Sequence, residues 1–200
     1  EDANYDPYRI YVPHPLYTPP DITWIHPDKM SVSAATDESL SLDLTYPGGA
    51  TGTLVLTVKA NERIDALWKP AAAGQIAYFR LRPRASKDEG FYGLGEYYDD
   101  VNHRGKVRAM QIEIDTSIES GYNEAHVPVP FLIGTQGWGL FVETDRPGAF
   151  AVAASEPDLV EAAFGTAPAS AEGLHFHLFG ASRPLDVTRH YYDVTGYPRV

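Results

Sequence analysis

The sequence contains no cysteine, no long apolar run and few basic residues. Without cysteine, neither a disulfide framework nor a thiolate zinc site can form. No run approaches the ~18 apolar residues of a membrane-spanning helix. Sixteen Lys and Arg stand against 27 Asp and Glu, a net charge of −11. Nucleic acid and anionic membranes are therefore disfavoured as partners because phosphate binding needs a basic surface, whereas a neutral sugar remains compatible.

The chain also lacks an initiator methionine and begins at Glu1. This indicates that it was processed or cut from something longer, and it favours a secreted or periplasmic location over the cytoplasm. Its 200 residues are 44% apolar and 22% charged, which is ordinary for one soluble globular domain with its own core.

Proline and tyrosine are concentrated at the N-terminus, in residues 1–28. Proline at this density excludes helix and central strand. We expect an extended arm whose aromatic side chains pack on the body, with a loose terminus as the alternative.

From Met30 onward, apolar and polar residues alternate with a period of two, which is typical of half-buried strands. Strands are predicted at 40–46, 54–58, 75–82, 107–114, 131–133, 138–142, 149–154 and 174–179, with turns at 47–49 and 135–137. Strands at this spacing predict an all-β antiparallel sandwich or barrel over residues 29–181.

One segment near the C-terminus, residues 182–200, has a helical pattern. Ser182 can cap the helix, Pro184 suits its first turn, and Gly196 followed by Pro198 ends it. Leu185, Thr188 and Tyr192 form one stripe, and Val187, Tyr191 and Val194 lie beside it. We interpret this helix as a connector into a following domain.

Four segments resemble, in order, the N-terminal β-sandwich of glycoside hydrolase family 31, the family of α-glucosidases, α-xylosidases and related transglycosylases. They are residues 91–96 (FYGLGE), 102–105 (NHRG), 130–142 (PFLIGTQGWGLFV) and 182–198 (SRPLDVTRHYYDVTGYP). The resemblance implies a galactose-mutarotase-like antiparallel β-sandwich with a short C-terminal connector helix.

The resemblance also implies what this segment lacks. The two catalytic aspartates of the family lie on a (β/α)₈ barrel, which needs ~250 residues of its own. No catalytic residue is therefore expected in this segment, and neither a cofactor nor a metal is implied. The expected partners are an oligosaccharide or α-glycoside substrate and the chain's own C-terminal barrel.

A polar loop between two strand runs, residues 115–124, is the candidate binding site. In several family members this loop supplies an Asp and a nearby hydroxyl to the outer sugar subsite, and by position these are Asp115 and Ser117. A carboxylate there can accept two sugar hydroxyls. Tyr122, Asn123 and Glu124 have suitable types to line the same subsite. The alternatives are turn capping by Asp115 and Ser117, and a solvated loop tip for the other three.

Other polar residues carry weaker hypotheses. Glu96 and Arg104 suggest a structural ion pair or a backbone anchor more than active-site groups, and His175 with His177 has the spacing of a metal-binding pair. Two rival functions stay open: a stand-alone carbohydrate-binding sandwich, and a mutarotase-like enzyme. The second needs a His acid and a Glu base, for which His103, His175 and Glu143 are candidates by type.

Overall fold

The structure is a computed structural model that describes residues 23–97, 99–110, 127–167 and 171–198. These residues form twelve strands and one helix. In chain order they are β1 (Lys29–Ala35), β2 (Ser39–Thr45), β3 (Thr51–Lys59), β4 (Arg63–Pro70), β5 (Tyr78–Leu81), β6 (Phe91–Gly95), β7 (Lys106–Met110), β8 (Pro128–Gly134), β9 (Trp138–Glu143), β10 (Gly148–Val152), β11 (Val160–Gly165), β12 (Leu174–Gly180) and α1 (Pro184–Thr195).

The chain divides into two compact units. Among the described residues, the first comprises 78–132 and 145–165, and the second comprises 24–77, 133–144 and 166–198. In the second unit the strands follow the order β1-β2-β3-β4-β12-β9, and the C-terminal end of β8 comes next. The first four strands are consecutive antiparallel hairpins, and β12 then pairs with β4 and β9.

One face of this sheet is apolar because the alternation along the strands stays in register across it. Leu42, Leu54, Trp68 and Leu174 form a row on four neighbouring strands. The Trp68 side chain is 5% exposed, and its indole nitrogen donates to the Tyr46 hydroxyl at 3.0 Å. A large aromatic side chain of this kind dominates such a core because its burial removes so much apolar surface from water.

In the first unit, β5-β11-β10-β7 form an antiparallel four-stranded sheet, and β6 lies beside β8. Every residue of β10 is buried. Phe150 and Phe164 pack edge to face with their ring centroids 5.7 Å apart. Strands that are buried on both faces carry continuous apolar runs, which explains the composition of β10. β11 is apolar except for Glu161, whose carboxylate pairs with Arg80 and Arg82.

Helix α1 lies against β9 and β12 of the second unit. Val187 is fully buried, and the Tyr191 ring contacts Phe141 edge to face at 5.1 Å. The inward stripe is therefore the one that contains Val187 and Tyr191, whereas Leu185 is 75% exposed. The predicted cap at Ser182 is wrong, because Arg183 occupies the N-cap position and makes no side-chain cap bond. The predicted end at Gly196 is confirmed, with its N–H donating to the Tyr192 carbonyl at 2.8 Å.

The predicted fold class is confirmed: the described chain is all-β, antiparallel and sandwich-like, with a short C-terminal helix. The strand prediction was incomplete, since none of the predicted segments corresponds to β1, β4, β6 or β11. The predicted strand at 107–114 corresponds to β7, which ends at Met110 where the described segment stops. The arm at 1–28 falls almost wholly outside the described residues. No helix in the described part of the chain has the length and apolar character needed to cross a membrane.

Candidate functional site

All five predicted substrate-binding residues, Asp115, Ser117, Tyr122, Asn123 and Glu124, lie outside the described residues. Their assignment stays a prediction. The structure does describe the two chain ends that bracket them, Met110 at the end of β7 and Val127 just before β8. The geometry around these two ends is therefore the described part of the candidate site.

Strand β6 contacts the second of these ends through a glycine-dependent backbone. Gly93, Leu94 and Gly95 have consecutive positive φ values of 104°, 62° and 98°. A Cβ atom on Gly95 would collide with the Val127 carbonyl oxygen, and only glycine adopts such φ values without strain. The close approach lets the Glu96 N–H donate to the Val127 carbonyl at 3.3 Å.

The buried, positively charged side chain of Arg108 lies close in sequence to the first chain end, Met110. Arg108 on β7 has a fully buried side chain, which is rare for arginine unless its charge is paired. Its Nη2 lies 2.7 Å from Asp99 Oδ1, and its guanidinium carbon lies 4.3 Å from the centre of the Tyr97 ring. The Tyr97 hydroxyl donates to the Ala109 carbonyl at 2.7 Å. The buried charge is thus compensated by a carboxylate and an aromatic face.

His103 joins Arg108 to strand β6. Arg108 Nε donates to His103 Nδ1 at 3.1 Å, so His103 Nδ1 is the acceptor and the ring proton sits on Nε2. That Nε2–H donates to the Gly93 carbonyl at 2.8 Å. His103 is 2% exposed with both ring nitrogens engaged, which leaves it unsuited to act as the acid of a mutarotase-like reaction.

Arg104 is a backbone anchor, as the sequence predicted. Its guanidinium donates to the carbonyls of Glu89, Ser86 and Pro157 at 2.8, 3.2 and 2.6 Å. It also lies 5.8 Å from the centre of the Phe91 ring. Arg104 therefore fixes loop backbone in the first unit.

The Asp99 carboxylate lies between two cations, Arg108 and Lys106, and its second oxygen is 2.8 Å from Lys106 Nζ. Partial burial acts to raise the pKa of Asp99, but hydrogen bonds and charge from Arg108 and Lys106 outweigh it and hold the pKa below the usual value. The carboxylate consequently stays ionised opposite the buried guanidinium.

Burial lowers the pKa of His103 below its usual 6.5 against the opposing hydrogen bond to Gly93, and the Arg108 charge lowers it further. As pH falls below about 6.5, the unfolded chain takes up this proton before the folded chain does. We therefore expect the part of the stability that depends on His103 to be complete above about pH 6.5 and to decline below it. The measurement is the free energy of unfolding in urea between pH 8 and 5. Between pH 8 and 5 the free energy of unfolding should decline less steeply in the His103→Gln variant than in the unaltered protein. If the two plots of this free energy against pH run parallel, the expectation is wrong.

A second polar cluster lies in the second unit. His177 is 7% exposed, with Nδ1 2.8 Å from Asp65 Oδ1 on β4 and Nε2 3.1 Å from Glu143 Oε2 on β9. Its ring stacks on Phe141 at 5.6 Å and on Phe179 at 6.2 Å. The ring thus ties three neighbouring strands together on the face that carries α1.

The metal hypothesis for His175 and His177 finds no support here. His175 is exposed, and both ring nitrogens of His177, the atoms a metal would need, already face carboxylates. Within the described residues no group of three or more His, Asp or Glu side chains is arranged to hold a metal ion.

Sequence reasoning missed both polar clusters. Nothing in the sequence singled out Arg108 within the predicted strand at 107–114, and no spacing motif joins Asp99, His103 and Arg108. Asp65 and His177 are 112 residues apart in the chain. The one available signal was the NHRG turn, which identified a structural role for Arg104 but not for its neighbour His103.

No family model matches the chain. It is 25% identical over 180 residues to an isomaltosyltransferase of Sporosarcina globispora, an alignment that covers 88% of this chain and 16% of the relative. It is 26% identical over 125 residues to alpha-xylosidase XylQ of Lactiplantibacillus pentosus, covering 61% of this chain and 15% of that relative. The chain thus spans only about a sixth of the length of these curated relatives.

Solved structures share the fold. The cycloalternan-forming enzyme from Listeria monocytogenes, in complex with a pentasaccharide substrate, matches with a TM-score of 0.75 and 16% identity, over 88% of this chain and 23% of that one. A family 31 sulfoquinovosidase from E. rectale matches with a TM-score of 0.58 and 16% identity, over 90% of this chain and 26% of that one. The resemblance predicted from the sequence motifs is confirmed: over most of its length, the chain is similar to a segment of enzymes that include members of glycoside hydrolase family 31.

Proposed function

We propose that the chain is the N-terminal domain of a retaining α-glycosidase or transglycosylase of family 31. It buttresses the catalytic barrel through the connector helix, and it supplies the loop between Met110 and Val127 to the outer substrate subsite. The observation that carries the proposal is the alignment of 88% of this chain with only 16% of an isomaltosyltransferase. A segment of that size leaves room in the full-length protein for a barrel of ~250 residues.

The described geometry supports a loop of this kind. A binding loop needs fixed ends because ordering a free one costs conformational entropy at each binding event. Here one end follows a strand that carries a buried, paired arginine, and the other lies against the glycine segment of β6. Asp115, Ser117, Tyr122, Asn123 and Glu124 then contact the sugar, and the full-length enzyme acts on an oligosaccharide or α-glycoside.

The test is Asp115→Ala in the full-length enzyme. A charge-assisted hydrogen bond contributes about 1.5–3 kcal/mol, so kcat/KM for an oligosaccharide is expected to fall ~10–100-fold. Activity on a 4-nitrophenyl α-glycoside, whose leaving group makes little use of the outer subsite, should change much less. Asp43→Ala removes an exposed carboxylate on β2 and serves as the control, with both activities retained.

Two results would count against the proposal. Equal losses on both substrates after Asp115→Ala, in a variant that remains folded, would show that Asp115 does not act through the outer subsite. Hydrolysis of the aryl glycoside by the 200-residue chain alone, at an enzyme-like rate, would contradict the placement of the catalytic aspartates on a separate barrel.

A further inference from the structure

Three buried or partly buried side chains in the first unit, Asp99, His103 and Arg108, connect the two chain ends that bracket residues 111–126. Arg108 lies two residues before the first end, Met110. The second end, Val127, is held by the backbone of residues 95 and 96. His103 links the two because it accepts from Arg108 and donates to the Gly93 carbonyl, two residues from Gly95.

We propose that Asp99, His103 and Arg108 form a positioning unit that fixes the separation of Met110 and Val127. The expected effect on the affinity of the outer subsite rests on the proposed function. The coupling of Met110 to Val127 does not depend on the proposed function. None of the three residues contacts substrate in this proposal. They act through the backbone of β6 and β7.

Asp99, Arg108 and His103 each have a distinct role in the positioning unit. Asp99, with a side chain 27% exposed, compensates the guanidinium charge from the solvent side. Arg108, fully buried, uses Nη2 for Asp99 and Nε for His103, which holds both groups at the fixed angles of a planar fork. His103 is the neutral tautomer with its proton on Nε2, and this N–H donates to the Gly93 carbonyl, so the orientation of the ring fixes the position of that carbonyl.

The bond to Gly93 matters because of the backbone that follows it. The left-handed run through Gly93, Leu94 and Gly95 is a strained conformation for a non-glycine residue such as Leu94, and it persists only where its surroundings hold it. Leu94 is fully buried, and the Gly93 carbonyl is held by His103. Loss of the hydrogen bond from His103 to Gly93 would let residues 93–95 leave this conformation. The contact of Gly95 and Glu96 with Val127 would then be lost as well.

The experiment compares Arg108→Met with Arg104→Met in the full-length enzyme by hydrogen–deuterium exchange and kinetics. Both variants delete an arginine that is hydrogen-bonded within the first unit, but Arg104 bonds the carbonyls of Ser86, Glu89 and Pro157 instead of His103. Arg108→Met is expected to raise amide exchange at 93–96 and at Val127 and Val129 together, since Pro128 and Pro130 have no amide hydrogen. Arg104→Met should raise exchange near 86–89 and leave Val127 and Val129 as in the unaltered enzyme.

The kinetic expectation is a split between KM and kcat. In Arg108→Met the KM for an oligosaccharide should rise roughly tenfold, below the ~100-fold cost of a 1 Å misplacement. The kcat for a 4-nitrophenyl α-glycoside should stay within about twofold, because the barrel aspartates are untouched. Arg108→Lys keeps the charge but loses the fork, so it should give an intermediate KM. Should Arg108→Met fail to fold, Arg108→Lys and Asp99→Asn give the same two readouts.

The outcomes separate this proposal from the proposed function. Unchanged exchange at Val127 and Val129 in every Arg108 and Asp99 variant overturns the positioning unit, even if Asp115→Ala still raises KM. Raised exchange at 93–96 and at Val127 and Val129, with no KM effect of either Arg108→Met or Asp115→Ala, supports the positioning unit and overturns the subsite assignment. Equal effects of Arg104→Met and Arg108→Met on exchange at Val127 and Val129 also overturn the positioning unit.

Discussion

Replacing Gly95 by alanine is expected to destabilise the chain by roughly 3–5 kcal/mol. The φ of +98° is unfavourable for any side chain, and the new Cβ would meet the Val127 carbonyl oxygen with the Val129 nitrogen close behind it. Both obstacles are backbone atoms, so no side chain can rotate away, and β6 must separate from the start of β8. The measurement is urea unfolding of the chain followed by tryptophan fluorescence.

Gly48→Ala provides a matched control. Gly48 has a similar φ of +84°, but nothing lies within 4 Å of the Cβ that it would gain. The backbone penalty alone should cost about 1 kcal/mol. If the two variants lose the same stability within error, the close approach of β6 to Val127 does not contribute, and the account of the second chain end fails.

Phe150→Ala is expected to cost about 3–5 kcal/mol. Phe150 is fully buried on the central strand β10, opposite Arg108 on one neighbour and Ala162 on the other. Its removal leaves a cavity beside Phe164, whose ring loses its edge-to-face partner. The midpoint of urea unfolding should fall with little change in its slope if the rest of the chain keeps its compactness.

Val101→Ala is the control for this second prediction. Val101 is 75% exposed in the same unit, and its truncation should change stability by no more than about 0.5 kcal/mol. Phe150→Leu, which keeps most of the volume, should fall between the two. A Phe150→Ala variant as stable as Val101→Ala would show that the first unit is not organised around β10.

Strands with one buried face were predictable because their sequence alternates. β2 and β3 are the clearest case, since Leu42 and Leu54 alternate with polar residues and face each other in the ladder. β11 was missed because it is buried almost throughout: Glu161 is its only polar residue, so polar and apolar residues do not alternate along it, and its alanines have weak strand preference. In β4, Leu67 interrupts the alternation that Ile64, Ala66 and Trp68 would otherwise show.

Only the motifs that flank the candidate loop can be compared with the structure, because residues 115–124 lie outside the described residues. Residues 91–96 were singled out only as part of the family resemblance, and the structure shows positive φ values there, including one at Leu94 that no sequence rule predicts. Arg108 could not be recognised, because local pattern assigns charged residues to the surface. Its burial is decided by Asp99, His103 and Tyr97, which lie off β7.

The contacts that His103, Tyr97 and Glu96 make at the chain ends all go to carbonyl oxygens, those of Gly93, Ala109 and Val127. A carbonyl is the same whichever side chain its residue carries, and loop closure depends only weakly on loop length. Mutations and small insertions between Met110 and Val127 therefore leave these anchors intact. A scaffold of this kind lets a lineage diversify the intervening segment quickly while the fold evolves slowly. Under the proposed subsite role, new sugar preferences would then arise by loop exchange without redesign of the domain.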